Sequence, residues 1–349
     1  MAERFTLNIL GSASARPNLH RNSSAQVLQV RGHLFLIDCG EGTQKQLIKQ
    51  RSILKNWAEA NKVSGLVSLS NHVLDAICIS HIHGDHLFGL FGLLSTMGLE
   101  GRRNPLHIYA PTNFAPILKF FLSYYGDGLL YEIEYHPLKM KSPEIVYENS
   151  NMEMLAFPLQ HRIDTYGFLF REKQPPLNVR KESVSSLKLT LKEIGSLKAG
   201  EDVVREPGPD EEPSIENGFC RFSGSDEQMI ISCAEHTYRP YKPRSYAYCS
   251  DTKPFSELAQ WVKGVDLLYH EATYSAINEQ KAHERCHSTN IDAARCAVEA
   301  GAGKLIVGHF SSSLTEDFLR TTYLEELRSV FPNSELVSDG DIFDIPTLK

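Results

Sequence analysis

Residues Ala76–Leu90 read AICISHIHGDHLFGL. The run Ala76–Ile79 is short and apolar, as a buried strand is. After it, Leu87, Leu90, Phe91 and Leu94 recur at helical spacing. Between strand and helix, Ser80–His86 packs three histidines and an aspartate into a short loop. His81 and His83 lie two apart in extended chain, so their side chains point the same way. Gly84 permits a tight turn. Asp85 and His86 then open the helix and reach a neighbouring point. Three imidazoles and a carboxylate so close together suit first-row transition metals, zinc above all.

One loop cannot close two metal shells, so further ligands are expected at distant strand ends. Three positions share that context. His161 follows the apolar run Leu155–Leu159, Asp251 follows Tyr246–Cys249, and His309 follows Leu305–Val307. Each is a ligand-type side chain just beyond a buried strand.

Working outward, the N-terminal half reads as strands (Phe5–Leu10, Ala25–Val30, Leu34–Ile37, Ala76–Ile79, His107–Tyr109) with helices between them. One helix pattern starts after Gly42 and places Leu47, Ile48, Leu54 and Trp57 on one side. The C-terminal half repeats the pattern. Its strand runs are Tyr246–Cys249, Val265–Tyr269, Lys304–Val307 and Glu335–Val337, and its helices cover Ser288–Ala300 and Glu316–Val330. Thr315 or Glu316 is placed to open the last helix, and Pro332 lies past its end. Two β-rich halves with outer helices predict an α/β fold, a four-layer αβ/βα sandwich. It is expected to be a single domain, 1–349, interrupted by an inserted arm and linker, 171–216.

The insert differs in composition. Arg171–Lys198 holds seven Lys and Arg against three Asp and Glu, a net charge of +4 in a chain whose net charge is −7. Glu201–Glu216 (EDVVREPGPDEEPSIE) is acidic and rich in proline, as exposed linkers are. An acidic protein does not hold nucleic acid through its bulk field, so any RNA contact must come from a local patch of positive charge. No apolar run reaches the roughly 18 residues of a membrane span. The N-terminus, MAERFTLNIL, has no signal-peptide pattern, and a cytoplasmic protein is expected. Of seven cysteines, Cys39, Cys78, Cys233 and Cys249 sit in or beside apolar runs and read as buried small hydrophobes, and the absence of a CxxC pair or an export signal argues against a zinc or disulfide framework.

HxHxDH with later single His, Asp and His candidates resembles the metallo-β-lactamase superfamily. The flanking stretches narrow the likeness. LGSASARPNLHRNSSA, LIDCGEGTQKQL, FPLQHRIDTYGFLF, YCSDT, YHEATY, CHSTNIDAA and VGHFSS are similar, in order, to the ribonuclease Z family of tRNA 3′-processing endonucleases. The resemblance implies a two-metal site holding two Zn2+, with Mn2+ as an alternative. His81, His83 and His161 would hold one ion. Asp85, His86 and His309 would hold the other, and Asp251 would bridge them. Asp85 would also take the proton of the attacking water. The substrate would be a tRNA precursor, cut to leave a 3′-hydroxyl on the tRNA and a 5′-phosphate on the trailer. The basic stretch Arg171–Lys198 falls where the family carries its tRNA-gripping arm, although the acidic proline-rich piece departs from that pattern. A homodimer is also implied.

Three further residues are candidates. His287, at the start of the helix Ser288–Ala300, is placed to donate a proton to the leaving oxygen. Glu271 would orient His287 or a metal-bound histidine, and Asp38 would hydrogen-bond a ligating histidine. Gly40 and Gly42 read as a strand-to-helix turn lining the site. Two other readings remain at this stage. One is a superfamily hydrolase of small phosphodiesters, sulfate esters or thioesters. The other is a non-catalytic RNA binder, disfavoured because all seven ligand positions carry competent side chains.

Overall fold

The computed structural model describes residues 4–16, 19–70, 73–205 and 229–347. They form two compact units. The larger comprises residues 4–173 and 244–346, and the smaller the described part of 174–243.

In the larger unit the chain lays down β1 (Phe5–Gly11), β2 (Ala25–Val30), β3 (His33–Ile37), β4 (Leu74–Cys78), β5 (Leu106–Pro111) and β6 (Ile133–Leu138). Then come β7 (Glu144–Glu148), β8 (Met152–Leu159) and β9 (Thr165–Glu172). The short strands β10 (Asn178–Val179), β11 (Val203–Arg205), β12 (Met229–Ile231) and β13 (Thr237–Tyr238) belong to the smaller unit. The larger unit resumes with β14 (Ser245–Cys249), β15 (Leu267–Glu271), β16 (Lys304–Gly308), β17 (Ser334–Leu336) and β18 (Ile342–Asp344). Its two seven-stranded sheets have the orders β18-β1-β2-β3-β4-β5-β6 and β17-β16-β15-β14-β9-β8-β7.

Strand alternation builds the layers. Phe5, Leu7, Ile9, Phe35 and Ile37 of the first sheet and Phe168, Phe170, Tyr246 and Tyr248 of the second fill the core between the sheets. The intervening residues face outward. Leu34, Leu36 and Ile77 pack under the helices Thr43–Ala60, Leu90–Leu99 and Ala115–Tyr125. Ala247, Cys249 and Leu305 pack under Asn290–Ala300 and the helical stretch 316–330. The αβ/βα sandwich is thus present. Thr315 caps the last stretch through its side chain, and Leu319–Tyr323 within it is a π-helical turn.

Three expectations change. The two sheets are not the two sequence halves. Strands β7–β9 precede the insert yet join the sheet of β14 through β9, and β18 pairs with β1. Ile48 is exposed rather than on the buried face of its helix. That face carries Thr43, Leu47, Gln50 and Leu54, and Gln50 earns its place by bonding Asn8 Oδ1 and the Gly340 carbonyl, each at 3.2 Å.

The insert also shifts. Arg171 and Glu172 are the last residues of β9, and Arg171 and Lys173 are paired to Glu153 and Glu148. At the other end the smaller unit runs to 243, because β12 pairs with β11 and β13 with β10. It has a core of its own around Leu189, Leu197, Val203, Ile231 and Cys233. Thr190 and Glu193 form a capping box on its helix Leu191–Ala199. Over 174–243 the sequence holds nine Lys and Arg against twelve Asp and Glu, a net charge of −3. Five of the nine Lys and Arg fall within 180–198, where only Glu182 and Glu193 oppose them. Of the expected linker Glu201–Glu216, residues 206–216 lie outside the described residues.

One buried ion network ties the end of β9 to the β2–β3 turn of the first sheet and to the start of β14. Glu172 accepts from Arg31 Nε at 2.6 Å and from Arg244 Nη2, Nε and backbone N at 2.7, 3.0 and 2.9 Å. Burial opposes its charge, but Arg244 and Arg31 outweigh burial and hold the carboxyl below its usual range. Glu172→Ala would take the shared carboxylate away from two guanidinium groups, so a loss of about 3–5 kcal/mol is expected in denaturant melts. A depressed carboxyl pKa stabilises fully above the ordinary carboxylate range and fades as pH falls through the folded value. The difference between wild type and variant should therefore shrink in melts taken at progressively lower pH.

Candidate metal centre

The candidate residues all emerge at one edge of the sandwich. Asp38 follows β3, Ser80 and His81 follow β4, Asp251 follows β14, Glu271 ends β15 and His309 follows β16. These are the carboxyl ends of parallel strands, where open α/β sheets place their sites. His161 joins them from the β8–β9 turn. His83 stands in extended backbone as the cap of the short helix Gly84–Leu87, which carries Asp85 and His86. The Cys39–Gly40 loop closes against this helix. Cys39 N donates to the His86 carbonyl and Gly89 N to the Cys39 carbonyl, at 2.8 and 2.9 Å. A Cβ on Gly40 would lie 2.2 Å from the Asp85 carbonyl oxygen, so the approach requires glycine there.

Side-chain atoms converge in two clusters. In the first, His83 Nδ1 lies 3.0 Å from His81 Nε2 and 3.4 Å from His161 Nε2. Asp251 Oδ2 lies 3.7 and 3.9 Å from the His81 and His161 nitrogens. In the second, His86 Nε2 and His309 Nε2 are 3.2 Å apart. Asp85 Oδ2 is 3.5 and 3.3 Å from them, and Asp251 Oδ1 is also 3.5 and 3.3 Å from them. A tetrahedral ion bonded at about 2.0–2.2 Å needs ligand–ligand edges of about 3.3–3.6 Å. Both clusters fit that scale. Asp251 Oδ1 is buried and makes no hydrogen bond, a costly state that a cation would relieve.

The far side of four imidazoles fixes which nitrogen is free. His161 Nδ1 faces the Cys286 carbonyl at 2.8 Å, which only accepts. His86 Nδ1 faces Asp38 Oδ2 at 2.7 Å. Thr273 Oγ1 gives its hydrogen to Glu271 Oε2 at 2.7 Å, so it accepts from His309 Nδ1 at 2.8 Å. Ser80 Oγ gives its hydrogen to Asp38 at 2.9 Å, so it accepts from His81 Nδ1 at 3.0 Å. Each ring then carries its proton on Nδ1 and turns the Nε2 lone pair inward, the state in which imidazole binds metal. Asp38 and His309 hold left-handed backbone, φ 56° and 63°, a strain found at functional sites.

Burial and neighbouring imidazoles push the pKa of His81 well down, and burial pushes those of His83 and His161 down, which favours neutral rings. For His86, burial is outweighed by Asp85, Asp251 and Asp38, which push it up. His287 stacks over His309, with ring centroids 5.7 Å apart, and its Nδ1 is 3.0 Å from Glu271 Oε1. Burial opposes its charge, but Glu271 and Asp251 raise it to about 9. Glu271, buried among His287, His309 and Thr273, is lowered to about 2 against the effect of burial.

The clusters form one wall of a cavity of about 550 Å³ whose lining also includes His287, Tyr274, Arg16, Arg162, Lys281 and Arg285. All four of these cations are exposed. Sequence reading sought positive charge in the insert and missed them. Arg162 and Arg285 do sit within two residues of His161 and His287, which is the one available signal. The supporting Ser80, Thr273, Tyr248 and the Cys286 carbonyl were equally unmarked. His270, by contrast, is buried and bonds its neighbour's carbonyl, in keeping with a structural role.

The chain is 37% identical over 338 residues to Ribonuclease Z of Bacteroides fragilis, covering 97% of this chain and 98% of that one. It is 38% identical over 341 residues to Ribonuclease Z of Cytophaga hutchinsonii, covering 97% and 96%. The chain belongs to the ribonuclease Z family. Among solved structures, the human tRNase Z short form (ELAC1) superposes with a TM-score of 0.63 at 22% identity, covering 98% of this chain and 99% of that one. The Bacillus subtilis metallo-β-lactamase fold protein YhfI gives 0.60 at 16% identity, covering 98% and 100%. The sandwich is therefore the metallo-β-lactamase fold. Residues 5–173 also match a family described as Anti-Pycsar protein Apyc1.

Within this ribonuclease Z relative, Asp38 is the support on which the second cluster leans. Asp38→Asn keeps the shape but weakens the acceptor for His86. It should lower metal affinity by about 10–100-fold, measured as faster loss of zinc to a competing chelator. Unchanged exchange would remove Asp38 from the metal centre.

Proposed function

We propose that this chain is a zinc-dependent endoribonuclease that cuts the 3′ trailer from tRNA precursors, leaving a 3′-hydroxyl on the tRNA and a 5′-phosphate on the trailer. The observation that carries this reading is the division of the two Asp251 oxygens between two ligand clusters. His81, His83 and His161 complete the first, and Asp85, His86 and His309 the second. Two ions held there would activate water and stabilise charge developing on the phosphodiester; zinc suits the His and Asp donors best, with manganese the alternative.

The chain's own residues supply the rest. Asp85 lines the cavity and is placed to accept the proton of the attacking water. His287, held through Nδ1 by Glu271, has Nε2 left to protonate the departing 3′-oxygen. The four rim cations offer charge-assisted contacts to phosphates beside the cut. A cavity of this size takes in the nucleotides at the cleavage point, not a folded tRNA. The remainder of the substrate calls for contacts elsewhere, and Lys181, Lys188, Lys192 and Lys198 of the insert are exposed. A homodimer and a cytoplasmic location belong to the same reading. Phe120 and Tyr124 stand exposed on the helix Ala115–Tyr125, as an uncovered interface would. Among the described residues no helix is long and apolar enough to cross a membrane.

The direct test incubates purified protein with a 3′-extended tRNA precursor, with and without chelator, and maps the new end. Asp85→Ala should abolish cleavage while tRNA binding persists, since binding draws on remote phosphates. Turnover within tenfold of wild type would reject its role as proton acceptor. His287→Ala should slow turnover by about 10²–10⁴-fold and leave metal content intact; metal lost with activity would make it a ligand instead.

Replacing Lys181, Lys188, Lys192 and Lys198 with alanine should raise KM for tRNA precursor and flatten its salt dependence. Hydrolysis of a small phosphodiester should hardly change. If both substrates respond alike, the insert supports the fold rather than the RNA.

A further inference from the structure

Away from the catalytic edge, a third group of ligand-type side chains stands on the first sheet. Strands β5 and β6 run parallel, with His107 opposite Glu134 and Tyr109 opposite His136. Strand parity puts His107, Glu134 and His136 on one face. His107 Nδ1 lies 3.0 Å from His136 Nε2 and 3.3 Å from Glu134 Oε2. These spacings match those among the atoms of the catalytic clusters. The His136 ring is held by stacking on Tyr109, with centroids 4.5 Å apart and planes 14° from parallel.

Three ligating atoms therefore converge. The single His107 Nδ1 proton can serve only one of its two close neighbours, whereas a divalent ion takes lone pairs from all three at once. We propose that His107, Glu134 and His136 form a third metal site, separate from the catalytic pair, that takes a divalent first-row transition metal such as zinc.

Two imidazoles and one carboxylate are a donor set for such ions and a poor one for magnesium or calcium, which prefer oxygen. Side chains here are about one-third exposed, 35% for His107 and 40% for Glu134, so water completes the shell. The affinity is set below that of the buried centre. The location gives the ion a mechanical role. Among the described residues β6 is the edge strand of its sheet, with backbone groups that no further strand covers. An ion bridging His107 to Glu134 and His136 braces this edge to the adjacent strand β5. None of the three residues lines the catalytic cavity.

The test uses the zinc-loaded protein, desalted and dialysed against graded free Zn2+. Wild type should take up one ion per chain beyond the catalytic metal, in a saturable step, and its melting temperature should rise over the same range. His107→Ala with His136→Ala should lose that step while keeping the tightly held metal and small-phosphodiester hydrolysis. Glu134→Gln, nearly isosteric and able to keep a hydrogen bond, should weaken the step without altering the fold. The proposal falls if wild type shows no extra ion, or if the double variant and wild type bind identically. The trio is then a hydrogen-bonded cluster only. Since the readout is metal uptake, failure here leaves the nuclease reading untouched, and failure of tRNA cleavage leaves this site standing.

Discussion

The buried carboxylate of Asp38 is the contact on which the centre depends. Its Oδ1 accepts from Ser80 N at 2.7 Å. Its Oδ2 accepts from Ser80 Oγ, from His86 Nδ1 and from the Tyr248 hydroxyl at 2.6 Å. Ser80 and His86 belong to the first sheet and its following helix, and Tyr248 to β14 of the second. One carboxylate thus locks the histidine loop in place and fastens it across the sandwich, where Asp251 follows Tyr248 by three residues. Removed from water, an unpaired carboxylate would be severely destabilising; with four donors it becomes the feature that sets the spacing between loop and bridge.

The same logic recurs on the other wall. Glu271 is buried and accepts from Thr252 N, Thr273 N and Oγ1, and Ser288 N, besides facing His287. Through Thr273 it sets the tautomer of His309, and directly it sets the charge of His287. Two buried carboxylates, Asp38 and Glu271, therefore orient His86, His309 and His287 without lining the cavity themselves. The supporting groups are buried away from water, whereas Asp85, His287 and the rim cations line the cavity.

Charge is arranged on the same principle of locality. The chain is acidic overall, and so is the stretch 174–243 taken whole. Positive groups matter where they are concentrated, around the cavity mouth and on the exposed face near 180–198. Net charge of a whole segment ignores how its parts are separated, whereas a phosphate responds to cations within about a Debye length of 8–10 Å.

Local sequence was enough for the histidine loop, the strand runs and the residues just past them. HxHxDH, His161, Asp251 and His309 were legible because a ligand at the end of a buried strand is a covalent-neighbour pattern, fixed by chain geometry. Asp38 was legible for the same reason. Tertiary structure alone decided three other things. It joined β7–β9 to the sheet of β14 and paired β18 with β1, because a strand's partner is chosen by edges that become available only once the sheets assemble. It gathered Arg16, Arg162, Lys281 and Arg285 around one cavity from segments far apart in sequence. It also brought His107 to Glu134 and His136, whose separation along the chain hid a cluster made by strand register. Residues that act through neighbours in sequence announce themselves; residues that meet across sheet edges and loops do not, because no local periodicity records who will stand opposite.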